Sequence, residues 1–194
     1  MKIYDISQEL TECSVFPGDK SPEKEVVSDM SKGDLYNLSN ISLCTHNGTH
    51  IDAPFHFIND GKRVNDIPLE KFIGPCCVVY HQGDFTPQHI KTLIEDKFED
   101  FPKRILISGR ATVTADAAKV FADKGIYLLG NESQTVGPED APMEVHKILL
   151  SKDVVLLEGL RLSRIEPGEY FLNAAPINIA GGDGSPCRAV LIKF

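Results

Sequence analysis

Short apolar runs rich in β-branched residues recur at Cys76–Tyr80, Arg104–Ser108, Ile126–Leu129, Val154–Leu157 and Ala189–Ile192, each bounded by turn-forming residues. Runs of this length and composition predict buried strands. Helix-like stretches lie between them. Thr86-Pro87 supplies an N-cap and a first-turn proline, followed by Ile90, Leu93 and Ile94 at helical spacing. A second helix is predicted from Thr114, a plausible N-cap, to Gly125, a C-terminal stop, with Ala117, Val120 and Phe121 on one face. A third starts near Asp140 and Pro142 and carries Val145, Ile148 and Leu149. Strands and helices alternate only in the middle of the chain, while both ends read as extended. The pattern predicts an α/β fold with a mixed β-sheet or barrel core and flanking helices, rather than a simple doubly wound sheet. With 194 residues, no internal repeat and no Gly/Ser linker, the expectation is a single domain over 1–194.

Composition narrows the classes. Hydrophobic residues make up 42% and charged residues 25%, a globular balance that excludes disorder. Acidic residues outnumber basic ones 28 to 20, a net charge of −8, which is wrong for a phosphate-neutralising surface and argues against nucleic acid as a partner. The five cysteines (Cys13, Cys44, Cys76, Cys77, Cys187) are odd in number, include an adjacent pair and follow no CxxC spacing, so a reduced, cytoplasmic setting is expected. No apolar run reaches signal-peptide or membrane-spanning length, so no membrane partner is expected.

The candidate chemistry lies at residues 44–56, which read Cys-Thr-His-Asn-Gly-Thr-His-Ile-Asp-Ala-Pro-Phe-His. His46, His50 and His56 are three of the chain's six histidines, and Asp52 lies among them. A lone histidine is ordinarily a satisfied core or surface residue; clustering changes that. On a straight strand, at about 3.3 Å per residue, His46 and Asp52 would stand roughly 20 Å apart and could not share an ion. One helical turn would bring His46 and His50 together, with Asp52 following and Pro54 limiting the helix. Gly48 permits either a close backbone approach or a turn. The residues alone leave open a metal site or a polar, hydrogen-bonded loop. Cys44 has no obvious paired base, His81 and His89 sit beside turn and helix-start residues, and Arg188 could meet a substrate carboxylate or a neighbouring subunit. The Gly181–Gly184 run lacks the features of a phosphate loop and reads as a tight turn.

The pattern His46-x-Gly48-Thr49-His50-x-Asp52-x-Pro54-x-His56 resembles the signature of the metal-dependent cyclase family, which includes bacterial kynurenine formamidases and isatin hydrolases. Tyr4-Asp5-Ile6-Ser7, Val15-Phe16-Pro17-Gly18-Asp19 and Gly181-Gly182-Asp183-Gly184-Ser185-Pro186-Cys187-Arg188-Ala189 extend the resemblance over nearly the whole chain. It implies a mixed, swivelling β/β/α-like fold and one or two divalent ions. His46, His50 and Asp52 would hold one ion and His146 a second, with Asp52 and Glu158 bridging. Zn²⁺ suits this donor set, with Mn²⁺ the alternative as carboxylates and waters fill the shell. His56 would be the general acid/base. The resemblance also implies a homodimer or homotetramer.

The implied reaction is hydrolysis of a small amide or formamide C–N bond, because a bound divalent cation lowers the pKa of its water towards about 7 and an imidazole near 6.5 can carry the proton. N-formylkynurenine is the nearest substrate by resemblance. Phe16 stands where the family's formamidases carry a substrate-pocket tryptophan; it can stack on a ring but is smaller and lacks the indole N–H. Gly130-Asn131-Glu132-Ser133 departs from the aspartate that formamidases tend to carry after the glycine of the middle strand. Two other readings keep the metal: hydrolysis of a cyclic amide, as in isatin hydrolysis, or another reaction of the family, and a non-catalytic protein binding a metal or small ligand. Retention of His56 favours the enzyme.

Overall fold

The computed structural model describes all 194 residues, Met1–Phe194. In chain order the strands are β1 (Lys2–Asp5), β2 (Glu23–Ser28), β3 (Leu38–Ser42), β4 (His50–Asp52), β5 (Ile73–Tyr80), β6 (Gly83–Phe85), β7 (Arg104–Ser108), β8 (Ala111–Val113), β9 (Leu128–Asn131), β10 (Val155–Glu158), β11 (Gly168–Asn173), β12 (Gly184–Pro186) and β13 (Val190–Lys193). The helices are α1 (Pro87–Ile90), α2 (Ala115–Asp123) and α3 (Met143–Leu150).

Nine strands form one mixed sheet in the order β1-β13-β11-β5-β7-β9-β10-β4-β12. The middle strands β5, β7, β9 and β10 are parallel, as expected where helices supply the crossovers. The flanking pairs are antiparallel. The period-2 alternation of the middle strands divides the core in two. Val78, Leu106, Leu128, Val155 and Leu157 face one apolar cluster with Ile6, Ile51 and Leu172. Val79, Ile105, Ile107, Leu129 and Leu156 face the other, covered by Phe121 of α2 and Leu149 of α3. The mixed α/β architecture matches the expectation from the apolar runs.

Thr114 caps α2, its hydroxyl accepting from the Ala117 amide at 3.3 Å. Two local expectations need correction. The helix at Pro87 stays α-helical only to Ile90 and continues as a π-helical turn over Lys91–Glu95. Three apolar runs are displaced towards the C-terminus, the third by two residues, since β9 spans Leu128–Asn131, and the fourth and fifth by one, since β10 spans Val155–Glu158, with Glu158 on its last position, and β13 Val190–Lys193. All five cysteines are free.

Candidate active site

Strand β4 is the middle of the site. It lies between β10 and β12, with His50 opposite Glu158 and Pro186, and Asp52 opposite Leu156 and Gly184. Three residues of strand put His50 and Asp52 on one face, and the register brings Glu158 beside them. His46 joins differently from the predicted helical turn. Residues 45–49 form a turn, not a helix, closed by the Asn47 amide on the Cys44 carbonyl at 3.1 Å and the Cys44 amide on Asn47 Oδ1 at 2.8 Å. Gly48 has φ +63°, and a Cβ there would stand 2.9 Å from Cys13 Cβ, so both readings of that glycine apply. The turn folds His46 back so that its Nδ1 lies 2.8 Å from Asp52 Oδ1.

His146 arrives from α3, across the sheet. Its Nε2 lies 3.4 Å from Asp52 Oδ2 and 3.3 Å from Glu158 Oε1. His50 Nε2 lies 3.4 Å from Asp52 Oδ1 and 3.5 Å from Glu158 Oε2. Both imidazoles are oriented by backbone carbonyls: His50 Nδ1 donates to Gly48 O at 3.0 Å and His146 Nδ1 to Pro142 O at 2.9 Å. A carbonyl only accepts, so each ring's proton is on Nδ1 in the neutral form and the Nε2 lone pair faces the carboxylates. Glu158 Oε1 also accepts from the Val136 amide at 2.8 Å. Asp52, Glu158, His50 and His146 are all buried.

Lone pairs facing carboxylates in a buried site require a proton or a cation between them. Burial opposes charge on these imidazoles, yet the carboxylates outweigh it: His46 is raised to about 11, with Asp183 and Asp52 as partners, His50 to about 9 and His146 to about 10. Burial likewise works to push the Asp52 carboxyl up, but hydrogen bonds from His146, His46 and His50 hold it well below the usual carboxylate range. The site is built for positive charge. Two sets of donor atoms, each within 4.8 Å of one another, share Asp52: His46, His50 and Asp52, and Asp52, His146 and Glu158. Three imidazoles and two carboxylates in this arrangement fit a divalent ion or a pair of them.

His56 lies on a 3₁₀ turn, Pro54–His56, begun by the proline that limits β4. Its ring packs at a tilt against His46, with centroids 4.0 Å apart and an interplanar angle of 34°. A cavity of about 250 Å³ opens over the cluster, walled by Phe16 and Phe57 and edged by Asp19, Gln134, Thr135 and Pro142. Phe16, His46, His50, Asp52, His56, His146 and Glu158 all line this cavity. Sequence reasoning missed Phe57, Asp19, Gln134, Thr135 and above all Asp183, whose Oδ2 lies 3.0 Å from His46 Nε2 and 3.6 Å from His56 Nδ1. The hydrogen bond from His46 and the nearby His56 imidazole hold its carboxyl well below the usual range. The turn assigned to Gly181–Gly184 is present, but it also delivers this carboxylate.

The other candidates fall outside. Cys44 does not line the cavity. Arg188 pairs with Asp5 at 2.5 and 2.9 Å. His81 packs at a tilt against His89, centroids 4.0 Å apart, on another part of the molecule. Glu132 is accounted for: it accepts from the Gly109 amide at 2.6 Å and the Leu162 amide at 2.8 Å, tying two loops together.

Residues 4–138 match the family model described as Cyclase. A kynurenine formamidase of Salinibacter ruber is 33% identical, the alignment covering 98% of this chain and 97% of the relative. A kynurenine formamidase of Bacillus anthracis is 31% identical over the same shares. A solved structure described as a potential metal-dependent hydrolase with cyclase activity superposes with a TM-score of 0.83 at 28% identity, covering 98% of this chain and 96% of the other. Isatin hydrolase A from Labrenzia aggregata, at 23% identity, shares the fold with a TM-score of 0.85 over 100% of this chain and 94% of the other. The chain belongs to the cyclase family. Within it, this protein is a metal-dependent hydrolase of the formamidase-like kind.

Proposed function

We propose that the protein hydrolyses an N-formylated aromatic amine, with N-formylkynurenine the nearest substrate, and that His46, His50, Asp52, His146 and Glu158 hold the metal. The observation that carries this reading is the buried cluster of three imidazoles and two carboxylates with His56 packed beside it under a small, aromatic-walled cavity. His46, His50 and Asp52 form one donor set that would hold an ion, and Asp52, His146 and Glu158 a second. The nitrogen and oxygen donors suit Zn²⁺, with Mn²⁺ the alternative. When bound, the divalent cation supplies Lewis acidity, activating water and polarising the amide carbonyl.

The chain's own groups do the rest. His56 takes a proton from the attacking water as the carbon–oxygen bond forms, then returns it to the nitrogen as the carbon–nitrogen bond breaks, releasing formate and the amine. Phe16 and Phe57 receive the aromatic ring. A cavity of about 250 Å³ is near the lower end for ligand pockets, which supports a small substrate.

The hairpin of β2 and β3 exposes Val26, Val27, Leu38 and Ile41, with Met30, Leu35 and Tyr36 between the strands. An apolar patch of this kind marks an interaction surface and supports assembly into a homodimer or homotetramer. The free cysteines support a reduced cytoplasm as the setting, and no helix is long and apolar enough to cross a membrane. Initial rates on N-formyl-L-kynurenine and on isatin, measured side by side with metal-loaded protein, test the substrate reading. The expected result is faster turnover of the formamide; preference for isatin, a lactam, would replace it with the cyclic-amide reading.

A further inference from the structure

Asp183 is carried by the turn that enters β12, and that turn is tied to the segment bearing His56. The Ala53 amide donates to Asp183 O at 2.9 Å and the Val64 amide to Gly182 O at 2.9 Å. The carboxylate is shared three ways. Oδ1 accepts from the Thr45 hydroxyl at 3.1 Å, while Oδ2 faces His46 Nε2 at 3.0 Å and His56 Nδ1 at 3.6 Å.

A carboxylate accepts, and Asp183 is the carboxylate paired with His56, so the neutral His56 ring turns its N–H towards Oδ2. This assigns the proton to Nδ1 and leaves Nε2 as the nitrogen able to take a proton. The neutral imidazole has two tautomers, and only one of them presents a base at Nε2; without a partner at Nδ1 the ring could adopt either, and rotate.

We propose that Asp183 is the positioning residue for His56, holding the acid/base ring in its Nδ1–H tautomer against the face of His46. The inference rests on the acid/base reading of His56 given above. Asp183 takes no proton in the cycle: Nε2 of His56 accepts the proton of the attacking water and returns it to the departing nitrogen, and the carboxylate stays ionised and faces the imidazolium between those steps.

Two measurements on the Zn²⁺-loaded full chain test it. The first is the ¹⁵N spectrum of the histidine-labelled protein, which reads the tautomer of His56 directly. The wild type should show Nδ1–H and D183N a loss of that preference; an Nε2–H tautomer in the wild type would overturn the proposal, whatever the variant does. The second is a double-mutant cycle on formamide hydrolysis, with metal content measured for each variant. D183N should keep its metal, lose at least about tenfold in kcat and change KM little. In the His56→Ala background the same substitution should cost nothing further. An equal loss in both backgrounds, or loss of metal in D183N, would place the effect on His46 and overturn the proposal. Full turnover by His56→Ala alone would remove the acid/base reading and the proposal with it.

Discussion

Asp52 touches every other member of the buried histidine–carboxylate cluster except Glu158: His46 and His50 at Oδ1 and His146 at Oδ2. Its two oxygens are what allow one buried side chain to serve both donor sets. His56 is outside that cluster, so removing it and removing a ligand should be separable. His56→Ala is expected to lower turnover at least about 10²-fold, the lower range for a general acid/base, with metal content by mass spectrometry unchanged. Protonation of the metal-free site gives a second expectation. The imidazoles raised to about 9, about 10 and about 11 bind protons in the folded chain that the unfolded chain, near 6.5, releases. That stability is present in full below about pH 6.5 and is lost as the pH rises through 9 to 11. A divalent ion held by the same groups would replace those protons. The denaturation midpoint of the chelated protein should therefore fall between pH 7 and pH 10, while that of the metal-loaded protein falls less; parallel profiles would contradict the shared site. At this scale the sequence is legible where residues cluster locally, as His46, His50, Asp52 and His56 do. Asp183 was illegible because it joins His46 across 137 positions through a turn that reads as an ordinary one.

The elements explain why some side chains were easier to place than others. α2 could be read from its cap to its stop, because Thr114 and the spacing of Ala117 and Phe121 are local signals. Thr114→Ala should cost about 1 kcal/mol of stability by urea denaturation, with activity retained. β4 is only three residues long and could not be read from its own pattern. Its place is fixed by pairing with β10 and β12, which no local signal contains, and the helical turn expected at His46 gave way to the turn at Gly48. Gly184 in β12 illustrates the constraint: a Cβ there would stand 2.5 Å from His46 Cε1 and 2.9 Å from the Ile51 carbonyl. Gly184→Ala should displace His46 or β4, lowering metal content while far-ultraviolet circular dichroism stays close to that of the wild type. Full metal retention would mean that this contact does not position the cluster.

Across the whole molecule, the sheet is packed on both faces, and the buried histidine–carboxylate cluster lies where β4 and β10 meet α3 and the two turns at 45–49 and 181–183. The exposed apolar hairpin is the part least like a finished surface. Val26→Asp together with Ile41→Lys should shift the protein towards monomer in sedimentation velocity if that hairpin joins subunits; an unchanged assembly would move the interface elsewhere. The α/β class was legible from the apolar runs, whereas strand order depends on pairings between distant segments. The central claim joins the buried cluster to formamide hydrolysis. The most direct test titrates chelated protein with Zn²⁺ or Mn²⁺ while following hydrolysis of N-formyl-L-kynurenine and measuring bound metal in the same samples. Activity should be absent without metal and rise in step with occupancy, saturating at one or two ions per chain; full activity in the chelated protein, or a filled site that turns over no formamide, would contradict it.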